Sequence, residues 1–79
     1  MFVSTLSGKF INSRYIRMIV VDHTFMKPEH CWRVLLVTDD KAKYTYYATA
    51  SEIPMEGEKN ARIVMEKLVQ AIDGVLIEK

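Results

Sequence analysis

Cysteine, proline and glycine are scarce in this chain of 79 residues, which contains one, two and three of them respectively. Because Cys31 has no second cysteine to pair with, an internal disulfide is excluded and a reducing, cytoplasmic setting is favoured. Three glycines do not supply a Gly-rich phosphate-binding loop. The fold therefore depends on a small core, since a domain of this length buries only roughly two-thirds of its unfolded surface.

The sequence also lacks an excess of one charge and any long apolar segment. It has 11 lysines and arginines against 10 aspartates and glutamates, whereas a strongly basic nucleic-acid binder carries an excess of cations. The longest apolar runs, such as residues 18–21, contain four residues, far fewer than the about 20 of a membrane span. Residues 1–9 lack the features of a signal peptide. We expect a soluble protein without membrane association.

Apolar residues recur clearly at helical spacing only in residues 59–74. One stripe occupies positions i, i+3, i+4, i+7 and i+11, and mostly polar residues fill the other positions. Gly74 stands where a left-handed residue would end the helix, and Gly57 is a permitted but weak N-cap. Ile63 lies opposite the stripe. The stripe consists of Ala61, Val64, Met65, Leu68 and Ile72.

The sequence before this helix predicts strands. Val, Ile, Thr and aromatic residues favour pleated structure, and short polar stretches separate the apolar runs. Residues 22–31, which contain Pro28, are interpreted as a long hairpin loop. We predict one α+β domain over residues 1–79, a four-stranded antiparallel meander packed by one C-terminal amphipathic helix. The predicted strands are residues 2–6, 15–21, 32–38 and 44–50.

This arrangement resembles short bacterial and phage-borne β-β-β-β-α proteins of unknown function. The shared features are an opening strand, a Gly-x-Ile-Asn step, a Tyr-Ile strand start and a terminal amphipathic helix. The resemblance covers most of the chain but implies no activity and no functional residues. The residues that carry it are Gly8, Phe10, Ile11, Asn12, Tyr15 and Ile16.

Potential metal ligands and nucleophiles cluster near residue 30. His23, Glu29, His30 and Cys31 are donors that zinc accepts, but their spacing matches no standard structural site. In an extended segment, the adjacent His30 and Cys31 would also point to opposite faces. A catalytic Cys31 would need a base and an oxyanion pocket, and no Gly-rich loop offers the latter. We predict no metal, no cofactor and no enzymatic activity.

Tyrosines and cations raise the alternative of nucleic-acid binding. Tyr44 and Tyr46 share one face of the predicted fourth strand, with Tyr47 on the other face. Aromatic rings on a sheet can stack on bases while cations contact phosphates, but the Lys/Arg-Gly-aromatic ribonucleoprotein pattern is missing. The candidate residues for this alternative are Arg17, Arg33, Lys41, Lys43, Tyr44 and Tyr46.

The most informative pattern is the excess of apolar residues on the sheet. Two predicted strands are apolar on both faces, and one helix can cover only one of them. The second face would carry either the Ile16, Met18 and Val20 set or the set of Ile19, Val21, Leu35 and Val37. Exposed apolar patches mark interfaces, so we expect a non-enzymatic interaction or regulatory protein that forms a homodimer or binds a protein partner. Its candidate interaction residues are Ile19, Val21, Phe25, Met26, Leu35, Val37 and Ile63.

Overall fold

The computed structural model describes residues 2–72 and the backbone of residues 76–78. The chain is an α+β protein, as predicted. In chain order its elements are β1 (Phe2–Ser4), β2 (Phe10–Asn12), a 3-10 turn (Ser13–Tyr15), β3 (Ile16–Met26), β4 (Glu29–Thr38), β5 (Lys43–Ser51), α1 (Pro54–Ala71) and β6 (Leu76–Glu78).

The main sheet has the strand order β5-β4-β3-β6. Strands β3, β4 and β5 form an antiparallel meander, whereas β6 pairs with β3 in parallel. The predicted meander is thus observed for three strands. The first predicted strand, residues 2–6, instead pairs with β2 in a separate two-stranded sheet.

A local turn explains why β1 pairs with β2. The backbone N–H of Thr5 donates to the carbonyl of Lys9 at 2.9 Å, and Gly8 has a φ of 85°, which glycine adopts without steric cost. This turn closes the small sheet before β1 can reach the main one. A hydrogen bond of 2.9 Å from the Leu6 N–H to the Thr45 carbonyl then ties the turn to β5.

The β3–β4 hairpin is much longer than the sequence predicts. The expected loop over residues 22–31 is wrong, because both strands continue to a reversal at Lys27 and Pro28. Pro28 occupies the turn, where it interrupts no ladder hydrogen bond. Polar residues within the stretch pair across the strands, with Asp22 opposite Arg33.

Two irregularities in the ladders determine which side chains share a face. One lies in β3 between Ile16 and Met18, and the other lies between β4 and β5, where Val34 opposes Tyr47 and Leu35 opposes Thr45. An extra residue in one strand reverses the alternation beyond it. Tyr47 therefore lies on the same face as Tyr44, and the predicted opposition of these two tyrosines is wrong.

Helix α1 covers one face of β3, β4 and β5. The predicted stripe is confirmed, with four of its residues buried and Val64 half-buried. The helix begins at Pro54, five residues before the predicted start, because proline suits the first helical turn. Gly74 lies outside the described residues. Among those described, no helix is both long enough and apolar enough to cross a membrane.

Gly57 is an internal helix residue and not the N-cap. A Cβ atom at this position would lie 2.5 Å from Cδ1 of Trp32. The missing side chain therefore allows the first turns of α1 to approach the indole ring of β4 closely. Ile53 occupies the N-cap position without a side-chain cap.

The core lies between α1 and the main sheet and is closed at one end by the small sheet. Ile19, Val34 and Leu36 are fully buried at its centre. Val3 and Ile11, which oppose each other across β1 and β2, belong to the same cluster. The other buried members are Ile16, Ala61, Met65, Leu68 and Ile72.

Candidate functional site

Apolar side chains also occupy the face of the main sheet that is turned away from α1. Val20 opposes Leu35 and Met18 opposes Val37, and these residues alternate along the strands with residues that face the helix. Leu35 is 9% exposed, and the other three are half-buried. We call Met18, Val20, Leu35 and Val37 the outer-face patch.

No helix or sheet in the described part of the chain covers the outer-face patch. Helix α1 packs on the opposite face, and the small sheet contributes Val3 and Ile11 to the core on that same helix side. The outer-face patch therefore lies on a face that the helix and the small sheet leave open. Such adjacent apolar side chains are typical of an interaction surface.

An ion pair bounds the outer-face patch toward the hairpin tip. Arg33 donates to the Asp22 carboxylate through Nε at 3.1 Å and also through Nη2. Beyond this pair lies an open groove of about 510 Å³ whose walls include Met26 and Cys31. Because Ala48 and Ala50 on β5 are small, the surface is concave there.

The predicted interaction residues divide between the two faces. Leu35 and Val37 lie on the outer face, but Ile19 is fully buried beneath the helix and Val21 packs against the core. The sequence-based prediction put Ile19 and Val21 on one face with Leu35 and Val37. It is wrong, because Ile19 and Val21 oppose the core residues Leu36 and Val34 across the ladder. Met18 and Val20, which belong to the other predicted set, lie on the outer face with Leu35 and Val37 instead.

Phe25, Met26 and Ile63 lie outside the outer-face patch. Phe25 and Met26 are at the end of β3, where they are 55% and 66% exposed. Phe25 shares the helix-side face with His30, and their ring centroids are 4.6 Å apart. Ile63 is 40% exposed on α1. Phe25 and Ile63 therefore do not share a face with Leu35 and Val37, whereas Met26 lies on the outer face but in the groove beyond the Asp22–Arg33 pair.

The histidines meet on the helix-side face of the hairpin. His23 Nε2 and His30 Nδ1 are joined by a hydrogen bond of 2.9 Å, and the His23 ring stacks on Trp32 at 4.3 Å between centroids. Cys31 opposes Thr24 and Ala50 and so lies on the outer face. Within residues 2–72, three or more potential ligands do not converge on a metal position.

The candidate nucleic-acid residues are also dispersed. Tyr44, Tyr46 and Tyr47 all pack against the core, so their rings do not form an open stacking platform. Arg33 is paired with Asp22, and Lys43 opposes Val37 on the outer face. Lys41 is in the β4–β5 turn with a φ of 67°, and the exposed Arg17 lies at the β3 irregularity. These four candidate cations and the two candidate tyrosines therefore do not form one surface.

A second concave surface lies between the small sheet and the β4–β5 turn. It has a volume of about 460 Å³, and four aromatic side chains and two carboxylates contribute to its walls. We call it the aromatic pocket. The alternation of apolar residues on both faces of β1 and β2 could have indicated it. Its relevant residues are Phe2, Phe10, Tyr15, Tyr44, Asp39 and Asp40.

Hydrogen bonds hold the acidic turn of this pocket in place. The Asp39 N–H donates to the Tyr15 carbonyl at 3.0 Å. The Thr38 hydroxyl and the Ala42 N–H donate to the Asp40 carboxylate and lower the pKa of that group below its ordinary value of 3.8. Asp40 is therefore charged at neutral pH.

Comparisons with protein-family models, with curated proteins and with solved structures found no match in any of the three.

Proposed function

We propose that this protein is a small non-enzymatic interaction protein that self-associates through its outer-face patch. It would act in the cytoplasm as a regulatory or accessory factor of bacterial or phage origin. The observation that supports this proposal is the set of adjacent apolar side chains on a sheet face that no described helix or sheet covers.

The size of the face determines the expected strength of the dimer. Three strands of 9 to 11 residues give a face roughly 30 Å long and 14 Å wide. The whole face measures roughly 400 Å² per copy, about half of what a standard interface buries on each partner, and the outer-face patch occupies only the part of it on one side of the Asp22–Arg33 pair. We therefore expect weak, micromolar self-association.

The geometry suits a two-fold arrangement. Two sheets can pack face to face about 10 Å apart with their side chains interdigitated, and a two-fold axis places the same patch on both copies. The Asp22–Arg33 pair would lie at the rim, where charged residues are tolerated.

Sedimentation velocity across a range from about 1 to 500 µM tests the proposal. The native chain should shift from monomer to dimer, whereas a Val20→Lys, Val37→Lys double variant should stay monomeric. Ile63→Lys places the same charge on an exposed helix position and should leave the dimer intact. A monomeric native chain over the whole range would rule out self-association, and a dimer that survives the double variant would place the interface elsewhere.

The nucleic-acid alternative has less support, because the tyrosines pack against the core and the cations lie elsewhere. Retention of the protein on a DNA or RNA column at low salt, lost as salt is raised, would revive it.

A further inference from the structure

We infer that the aromatic pocket is a binding site for a positively charged peptide segment, whose lysine or arginine side chain enters the pocket. This site lies beside the small sheet, away from the outer-face patch, and does not depend on self-association. Three features support it: the strand geometry, the charge of the lining residues, and the cations that already lie on two of the pocket's rings.

Strand register places Phe2 and Phe10 on the surface. Phe2 opposes Asn12 and Phe10 opposes Ser4, while Val3 and Ile11 between them point into the core. The two phenylalanines are 67% and 68% exposed. Val3 and Ile11 supply the contribution of the small sheet to the core, and neither phenylalanine belongs to that cluster. Exposed aromatic side chains with no role in the core are typical of recognition surfaces.

Charge favours a cation as the occupant. Asp39 and Asp40 contribute to one wall, and among residues 2–72 neither forms an ion pair. Lys9 is the one cation among the residues that line the pocket, so these residues together carry one net negative charge. Carboxylates next to aromatic ring faces form a suitable environment for an ammonium or guanidinium group.

The chain's own cations show that these ring faces can receive a positive charge. Lys9 Nζ lies 5.3 Å from the centroid of Tyr44, and the Arg14 guanidinium lies 5.8 Å from that of Tyr15. Both distances are within the roughly 6 Å range of cation–π attraction. Because Lys9 also lines the pocket, it would compete with an incoming cation for Tyr44.

The shape of the pocket suits a side chain and its flanking residues. Its volume of about 460 Å³ lies within the range of ligand sites and exceeds that of one lysine or arginine. The remaining space borders Phe2 and Phe10, which could contact apolar residues on either side of the cation. An arginine or lysine flanked by leucines is therefore a suitable probe.

Titration of the ¹⁵N-labelled chain with a short capped peptide, in which arginine is flanked by leucines, tests the inference. Backbone amide shifts should concentrate in residues 2–15 and 38–44. Asp39→Asn and Phe10→Ser should each weaken binding about three- to tenfold, and Leu6→Ser should leave it unchanged. Leu6 is 62% exposed on the same small-sheet turn but does not line the pocket.

The Lys9→Gln variant distinguishes a site that prefers cations from one that prefers anions. Removal of the competing cation should strengthen binding of the arginine peptide about two- to fivefold, whereas a site for anions would be weakened. Equal binding of a peptide with glutamate in place of arginine, or weaker binding by the Lys9 variant, would overturn the inference. Thermal denaturation of each variant confirms that it is folded.

Discussion

The two faces of the main sheet carry similar apolar residues but have different surroundings. On the helix side, Leu36 is fully buried in the core, whereas its neighbour Leu35 lies on the outer face, away from that core. Burial inside the chain stabilises the fold, whereas an apolar face without an internal partner is available for association. This difference, and not hydrophobicity itself, separates core from candidate interface.

The largest effect is expected when the two neighbouring leucines, one on each face, are shortened to alanine. Leu36→Ala should lower the free energy of unfolding by about 3–5 kcal/mol, because it leaves a cavity between sheet and helix. Leu35→Ala should lower it by less, about 2 kcal/mol in the monomer, since no described helix lies over this face and the space left opens to solvent. Urea unfolding followed by Trp32 fluorescence, at a protein concentration low enough to exclude dimers, measures both. Equal losses would contradict the distinction between the faces.

A second test addresses how closely the helix approaches the sheet. Gly57→Ala should destabilise the chain by about 1–2 kcal/mol, because the added Cβ would lie 2.5 Å from Trp32 Cδ1 and the cost of overpacking exceeds the gain in helix propensity. Asn60→Ala, at an exposed position of the same helix, is the matched control and should be neutral or slightly stabilising. Melting temperatures distinguish the two variants, and stabilisation by Gly57→Ala would contradict the close contact.

The smallest effect concerns the β4–β5 turn, which belongs to neither face. The pKa of Asp40 is lowered in the folded chain by the Thr38 hydroxyl and the Ala42 N–H. A carboxylate whose pKa is lower in the folded chain than in the unfolded chain stabilises the fold at pH values above its unfolded pKa. This stabilisation is lost as the pH falls through its folded pKa. Asp40→Asn should therefore be less stable than the native chain at pH 6, and the difference should shrink as pH falls below about 4. Paired unfolding curves at several pH values measure it, and a pH-independent difference would contradict this role.

The parts of the fold predicted correctly depend on local patterns. The helical stripe from Ala61 to Ile72 was recognisable because a 3.6-residue period needs no knowledge of the partner.

The errors arose where pairing across strands decides the outcome. The hairpin register places Ile19 and Val21 on the helix-side face, opposite Leu36 and Val34. The irregularity before Met18 moves Ile16 to that same face, and the one between β4 and β5 moves Tyr47 to the face of Tyr44. Alternation within a strand divides its residues into two faces, but it does not determine which of these faces lies against the helix. Residues 22–26 have the composition of a loop, and it is their pairing with residues 29–33 of β4 that makes them a strand.

The sequence by itself therefore determined the α+β class, the helix and the surplus of apolar residues over what one helix can cover, because these depend on composition and local period. Tertiary structure alone decided that Leu35 and Val37 lie with Met18 and Val20 on the uncovered face. It also brought Phe2, Phe10, Tyr15 and Tyr44 together beside Asp39 and Asp40. Both outcomes depend on strand register and bulges, which are set by contacts between residues distant in sequence.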